Sequence, residues 1–67
     1  MKIILNNKEE HFDADNLTIS KLLKLKKFTF KMIVVKINNK LIKKENYETA
    51  VINNKDNVIV LHMISGG

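Results

Sequence analysis

The sequence predicts an α+β fold in which one helix packs across one face of a mixed sheet of four to five strands. Two observations lead to this prediction. Short apolar segments typical of strands flank a single stretch with helical periodicity, and their order is β-β-α-β-β-β. A chain of 67 residues makes one domain, 1–67, near the lower size limit for independent folding. Its core must rest on packing alone, because the chain has no cysteine.

The chain is predicted to begin with a β-hairpin. Residues 1–5 place Met1, Ile3 and Leu5 on one face of a strand. Residues 6–8, Asn-Asn-Lys, form the turn, because Asn tolerates the left-handed backbone of a tight hairpin. Residues 9–12 return as a polar strand, which indicates an edge position.

A loop from Asp13 leads into one amphipathic helix over residues 19–27. Thr18 is the expected N-cap, with Asp15 and Asn16 as alternatives. Lysines cover the polar face and the last turn, where cations complement the helix dipole. The apolar face is predicted from helical spacing to contain Ile19, Leu22, Leu23 and Leu25.

The second half of the chain is predicted to be mainly β. Residues 32–38 form the strongest strand, Asn38-Asn39 a tight turn, and residues 40–43 a short return strand. Residues 45–49 are expected to form a helical turn or loop that holds Tyr47 at the edge of the core. Val51-Ile52 precede a polar turn, after which the final strand starts at Val58. These elements fit together most simply when the first and last strands lie side by side and parallel, which is the β-grasp, or ubiquitin-like, arrangement.

The last strand has apolar residues on both of its faces, although a single helix can cover only one. Val58 and Val60 are predicted to face the core. The face of the strand that contains them becomes polar at His62, near the end of the chain, whereas the opposite face stays apolar. Ile59, Leu61 and Met63 would then form an exposed apolar patch, which usually marks a contact surface. The alternative is that the Tyr47 loop or neighbouring long side chains cover the patch.

The final residues Ser65-Gly66-Gly67 are predicted to form a flexible tail. Gly66 and Gly67 are the only glycines in the chain, and they follow the last strand, where no turn or helix cap needs them. A thin tail without Cβ atoms could enter a narrow channel and present the Gly67 carboxylate to another molecule. The alternative is an ordinary unstructured terminus.

Several classes of function are not expected. The net charge is +5, but the twelve lysines are scattered and no arginine is present for base or phosphate recognition, so we expect no nucleic-acid partner. No secretory leader or apolar run long enough for a membrane span is visible, which favours a cytoplasmic protein. His11 and His62 lack further ligands at metal-binding spacing, so no metal site is expected. Without a phosphate-binding loop or nucleophile motif, the chain is expected to be neither an enzyme nor the holder of a bound cofactor.

The whole chain resembles the ThiS family, the sulfur carriers of thiamine thiazole biosynthesis. The resemblance rests on the Leu22-Leu23 pair of the helix, the strand ending Val35-Lys36-Ile37-Asn38, the run Lys44-Glu45-Asn46-Tyr47, and the terminal Ile64-Ser65-Gly66-Gly67. The chain departs from the family pattern at Lys43, Lys44 and Tyr47, where proline, arginine and tryptophan are usual.

The resemblance implies a mechanism and three partners. An E1-like adenylyltransferase of the ThiF type would use ATP and magnesium to attach AMP to the Gly67 carboxylate. Sulfur from a persulfide, such as that of a cysteine desulfurase, would replace AMP and leave a thiocarboxylate. A ThiG-type thiazole synthase would then take the sulfur. Two alternatives stay open, namely a MoaD-like small subunit of molybdopterin synthase and a ubiquitin-like protein modifier.

Overall fold

The computed structural model describes residues 1–29 and 32–63, and it confirms the predicted α+β class. A short 3-10 helix, Lys44–Asn46, accompanies the regular elements. In chain order, the strands and the α-helix are β1 (Lys2–Leu5), β2 (Lys8–His11), β3 (Asn16–Thr18), α1 (Ile19–Leu25), β4 (Ile33–Ile37), β5 (Lys40–Ile42), β6 (Val51–Asn53) and β7 (Asn57–His62).

Strand β7 lies at the centre of a five-stranded mixed sheet with the order β2-β1-β7-β4-β5. It runs parallel to β1, with Leu5 opposite Val58, and antiparallel to β4, with Val35 opposite Val60. The first and last strands are therefore neighbours, as predicted for a β-grasp. The polar strand β2 lies at one edge of the sheet, as its composition indicates.

The core fills the space between α1 and one face of the sheet. Ile19 and Leu22 of the helix are fully buried, and Tyr47 after the 3-10 helix is also buried, as the sequence predicts. Full burial of an aliphatic side chain contributes about 1.5–3 kcal/mol, so these contacts dominate the stability of a chain without disulfides. The buried residues are Ile3, Leu5, Leu17, Ile19, Leu22, Val35, Tyr47, Ile52, Val58 and Val60.

Two features differ from the sequence prediction. Residues 16–18, expected to be loop, form β3, which pairs antiparallel with β6 in a second, two-stranded sheet. Leu25, expected on the apolar helix face, is 59 % exposed. At 3.6 residues per turn, Leu25 points about 120° away from Ile19 around the helix axis. The face of the helix that is buried is therefore narrower than the set of apolar residues predicted to form it.

The helix also ends two residues earlier than predicted, in a Schellman motif. The N–H of Phe28 donates to the carbonyl of Leu23, and the N–H of Lys27 donates to that of Lys24. This geometry places Lys27 in the left-handed region, with φ of 57°, where helices usually have glycine. Thr18 is the N-cap, as expected, and its hydroxyl accepts a hydrogen bond from the N–H of Lys21.

Both predicted Asn-Asn turns are present, and their first residues also bind β7. Asn6 and Asn7 have φ values of 51° and 69°. The side-chain oxygen of Asn6 accepts from the N–H of Val60 at 2.8 Å, and its amide donates to the Val60 carbonyl at 3.1 Å. Asn38, in the second turn, likewise accepts from the N–H of Asn57 at 2.9 Å. Each side chain thus continues the backbone pairing beyond the end of its own strand.

We expect Asn6→Gly to lower the free energy of unfolding by about 1–2 kcal/mol, because two hydrogen bonds to Val60 are lost. Glycine tolerates the positive φ, so the loss reports on the side chain alone. Asn7→Gly is the matched control, since Asn7 also has a positive φ but its side chain forms no hydrogen bond with the residues that the structure describes. It should change stability by less than about 0.5 kcal/mol. Urea unfolding measures both variants. Equal stabilities would show that the Asn6 side chain contributes nothing.

We expect Lys27→Gly to raise the free energy of unfolding by about 0.5–1 kcal/mol, because glycine removes the steric cost of the left-handed conformation. Lys24→Gly, at an exposed position inside the helix, is the control and should lower stability by about 1 kcal/mol. Thermal unfolding compares the two variants. A loss of stability in both would contradict the assigned role of position 27.

Candidate functional site: the open face of the sheet

The face of the sheet that points away from α1 is largely apolar. Strand alternation directs Ile59 and Leu61 of β7 away from the core that contains Val58 and Val60. The strand register then places neighbours from β1, β4 and β5 on the same face. We call this surface the open face, formed by Ile4, Val34, Lys36, Leu41, Ile59, Leu61 and Met63.

The three residues predicted from the sequence as a partner-binding patch all lie on the open face. Leu61 is 50 % exposed and Met63 45 % exposed, whereas Ile59 is half-buried between neighbouring strands. Tyr47 packs in the core and leaves these side chains uncovered. Their role in binding a partner stays a prediction.

The register adds residues that sequence reasoning did not assign to this surface. Val34 lies opposite Leu61, and Lys36 lies opposite Ile59 on β4. Leu41 lies opposite Lys36 on the edge strand β5 and is 61 % exposed. Cross-strand pairs of this kind are close neighbours on one face, so the patch extends from β7 across β4 to the sheet edge. The alternation of side chains within residues 32–38 indicates that Val34 points away from the core. The position of Leu41 opposite Lys36 follows only from the strand register.

Some charged side chains on this side of the sheet form ion pairs with one another, and Lys36 does not. At the β1–β2 end, the carboxylate of Glu9 lies 3.3 Å from the ammonium of Lys2 and 3.5 Å from Nε2 of His11. The hydrogen bond from Lys2, followed by that from His11, holds the pKa of Glu9 below its usual value. Lys36 forms no ion pair or side-chain hydrogen bond with the residues that the structure describes.

Strand β7 directs the chain toward the rim of an apolar groove. The N–H of Met63 donates to the carbonyl of Met32 at 2.8 Å, which extends the β7–β4 ladder by one residue. The groove has a volume of about 560 Å³, and its lining is mostly apolar. Burial raises the pKa of Tyr47 at its base. The described lining residues are Leu23, Phe28, Met32, Ile33, Val34, Lys44, Tyr47 and Met63. The predicted tail, Ser65, Gly66 and Gly67, lies outside the described residues.

Residues 1–29 and 32–63 contain neither a cluster of metal-ligating side chains nor a helix suited to cross a membrane. No group of three or more His, Cys, Asp or Glu side chains is placed to hold a metal ion. No helix in this part of the chain has the length and apolar character needed to cross a membrane.

Comparison with known proteins shows the family. The model of the ThiS family matches residues 2–67. The chain belongs to the ThiS family. The match spans both the open face and the final glycines, and it supports the class of ThiS-type sulfur carriers.

Solved structures from Geobacter metallireducens have the same fold as this ThiS family member. The crystal structure of the thiamine biosynthesis protein ThiS from that organism is 25% identical in sequence to this chain, with a TM-score of 0.90 over 100% of both chains. An NMR solution structure of a thiamine biosynthesis protein from the same organism is 25% identical, with a TM-score of 0.79 over 100% of this chain and 88% of that one. The comparison with curated proteins gave no match.

If the open face contacts the E1-like enzyme that the family resemblance implies, Leu61→Glu should weaken binding to that enzyme by at least about tenfold, because a charge would enter an apolar contact. Leu25→Glu is the matched control, since Leu25 is equally apolar and exposed but lies on the helix. The control should change affinity by less than about threefold. Isothermal titration calorimetry measures both, and circular dichroism checks the fold. Equal affinities for the two variants would exclude the open face as the contact.

Proposed function

We propose that the chain is a sulfur carrier for the thiazole ring of thiamine, with its reactive group at the Gly67 carboxylate. An E1-like, ThiF-type enzyme activates that carboxylate, and a ThiG-type thiazole synthase receives the sulfur. The observation that carries the proposal is the ThiS family match, which extends to residue 67 and thus includes Gly66 and Gly67. The structural likeness to thiamine biosynthesis proteins supports the same pathway.

The chemistry requires an activated carboxylate, because the free anion is a poor electrophile. A Gly67 carboxylate oxygen attacks the α-phosphate of magnesium-bound ATP and releases pyrophosphate, which leaves an acyl adenylate. A persulfide sulfur then attacks the acyl carbon and displaces AMP. A thiol cleaves the resulting acyl disulfide, which yields the Gly67 thiocarboxylate and a disulfide of the donor. ATP and magnesium belong to the partner enzyme in this scheme.

The short distance in sequence between the open face and Gly67 supports this proposal. Four residues follow Met63 in the sequence, and extended backbone spans at most about 3.6 Å per residue. A catalytic centre that reacts with Gly67 must therefore lie within about 14 Å of Met63. A partner bound to Leu61 and Met63 on the open face can place its catalytic centre within this limit.

The glycines fit the proposed passage into a partner's active site. Gly66 and Gly67 carry no Cβ, so the backbone can enter a channel too narrow for side chains. The same property suits two successive partners, one for activation and one for sulfur transfer. The ThiS family match favours the thiazole pathway over the MoaD-like alternative. Dependence of growth on added thiamine, rather than loss of molybdoenzyme activity, would separate these pathways.

The direct test is the intact mass of the protein after incubation with its activating enzyme, ATP, magnesium and a persulfide donor. We expect one oxygen to be exchanged for sulfur, with fragmentation placing the change at Gly67. A control without ATP should leave the mass unchanged. Isopeptide adducts on other proteins, without any thiocarboxylate, would instead support the modifier alternative.

We expect Gly67→Ala to reduce sulfur loading by at least about tenfold, because a methyl group displaces the carboxylate within the channel. Deletion of Gly67 should abolish loading, while the fold of residues 1–63 is retained. Ser65→Ala is the control, since it adds no bulk next to the glycines. Intact mass spectrometry compares the loaded fractions. Normal loading of the Gly67→Ala or truncated protein would contradict the proposed role of Gly67.

A further inference from the structure

Lys36 is the one charged residue among the seven that define the open face, and the charged residues Lys2 and Glu9 lie on the same side of the sheet toward β2. It lies on β4 between the apolar neighbours Ile59 on β7 and Leu41 on β5. Val34 precedes it on the same face by two residues. The Lys36 residue is half-buried, so its aliphatic stem lies against these neighbours while the ammonium reaches solvent.

No carboxylate on this face of the described sheet neutralises Lys36. The acidic residue nearest in the same layer is Glu9 on β2, which is already bonded to Lys2 and His11. Strand β2 lies three strands away from β4, or about 14 Å at the usual spacing between strands. The Lys2–Glu9 pair cancels its own charge, so Lys36 gives the open face a net positive charge.

A partner that covers the open face must accommodate this cation. Removing an ammonium group from water is costly unless a hydrogen-bonded acceptor of opposite charge replaces the water. A partner surface that is only apolar would therefore bind unfavourably over Lys36, although it would bind favourably over Leu61 and Leu41. Net charge of +5 on the whole chain adds a long-range preference for an acidic partner.

We propose that the activating enzyme contacts the open face with an apolar surface that places a carboxylate against Lys36. This inference rests on the proposed function, and it adds a residue that determines which partner surface fits. The Lys36 ammonium donates hydrogen bonds to that carboxylate, while Leu41, Ile59 and Leu61 exclude water around the pair. A second copy that docked through its own open face would bring Glu9 of that face toward Lys36, and this carboxylate is already paired with Lys2 and His11.

The test uses three variants of the full chain and the E1-like enzyme that loads the wild-type protein. Lys36→Glu reverses the charge, and Lys36→Met keeps the stem but removes the charge. Lys24→Glu is the matched control, since it makes the same charge change on the exposed side of α1. Calorimetry at low and high salt gives the dissociation constants, and circular dichroism confirms folding.

We expect Lys36→Glu to raise the dissociation constant by at least about 100-fold, and Lys36→Met by about tenfold, because each leaves the enzyme's carboxylate without its partner. Lys36→Met should also weaken the salt dependence of binding. Lys24→Glu should stay within about threefold of the wild type. Wild-type affinity of Lys36→Met at both salt concentrations would overturn the inference.

Intact mass separates this inference from the proposed function. If the wild-type chain is loaded with sulfur while Lys36→Met binds as tightly as the wild type, the inference alone fails. If the wild-type chain gains no sulfur from a competent enzyme, the proposed function fails, and the inference fails with it.

Discussion

The central position of β7 is the constraint on which the rest of the structure depends. This strand pairs parallel with β1 and antiparallel with β4, and its Val58 and Val60 side chains enter the core. Bonds from the side chains of Asn6 and Asn38 reinforce both of its borders. Because successive side chains of a strand point in opposite directions, the same pairing that buries the two valines turns Ile59 and Leu61 outward. Core and open face are therefore two consequences of one strand register.

This arrangement separates recognition from chemistry. Side chains on a rigid sheet supply the proposed contact, and Gly67 supplies the carboxylate that is proposed to react. Rigid elements position a contact surface more accurately than loops do, which suits a protein that meets different enzymes in succession. In the proposed function the carrier needs no catalytic group of its own, since the activating enzyme provides ATP and magnesium and a persulfide donor provides the sulfur. The proposed pairing of Lys36 with a carboxylate would add selectivity for one partner to the apolar contact.

Much of this fold could be predicted from the sequence, because the turns and the buried faces are encoded by residues close together in the chain. The Asn-Asn pairs indicate tight turns by their tolerance of positive φ, and the switch of parity at His62 indicates which valines are buried. The pairing of β3 with β6 could not be predicted, since two strands of three residues each carry too little pattern and find each other across 35 residues of sequence. Lys27 stands where glycine is usual, so nothing marked the end of the helix. The extension of the patch to Leu41, and the bond from Asn6 to Val60, depend on long-range register rather than on spacing.

The most direct test of the central claim is an NMR map of the contact with the activating enzyme. Amide and methyl signals of the isotopically labelled chain would be followed during titration with unlabelled enzyme. We expect the signals of Val34, Lys36, Leu41, Ile59 and Leu61 to be perturbed, while those of Ser20, Lys24 and Leu25 on α1 stay unchanged. Perturbation centred on α1, with an unaffected open face, would contradict the claim that this sheet surface guides the chain's terminal carboxylate to its partner.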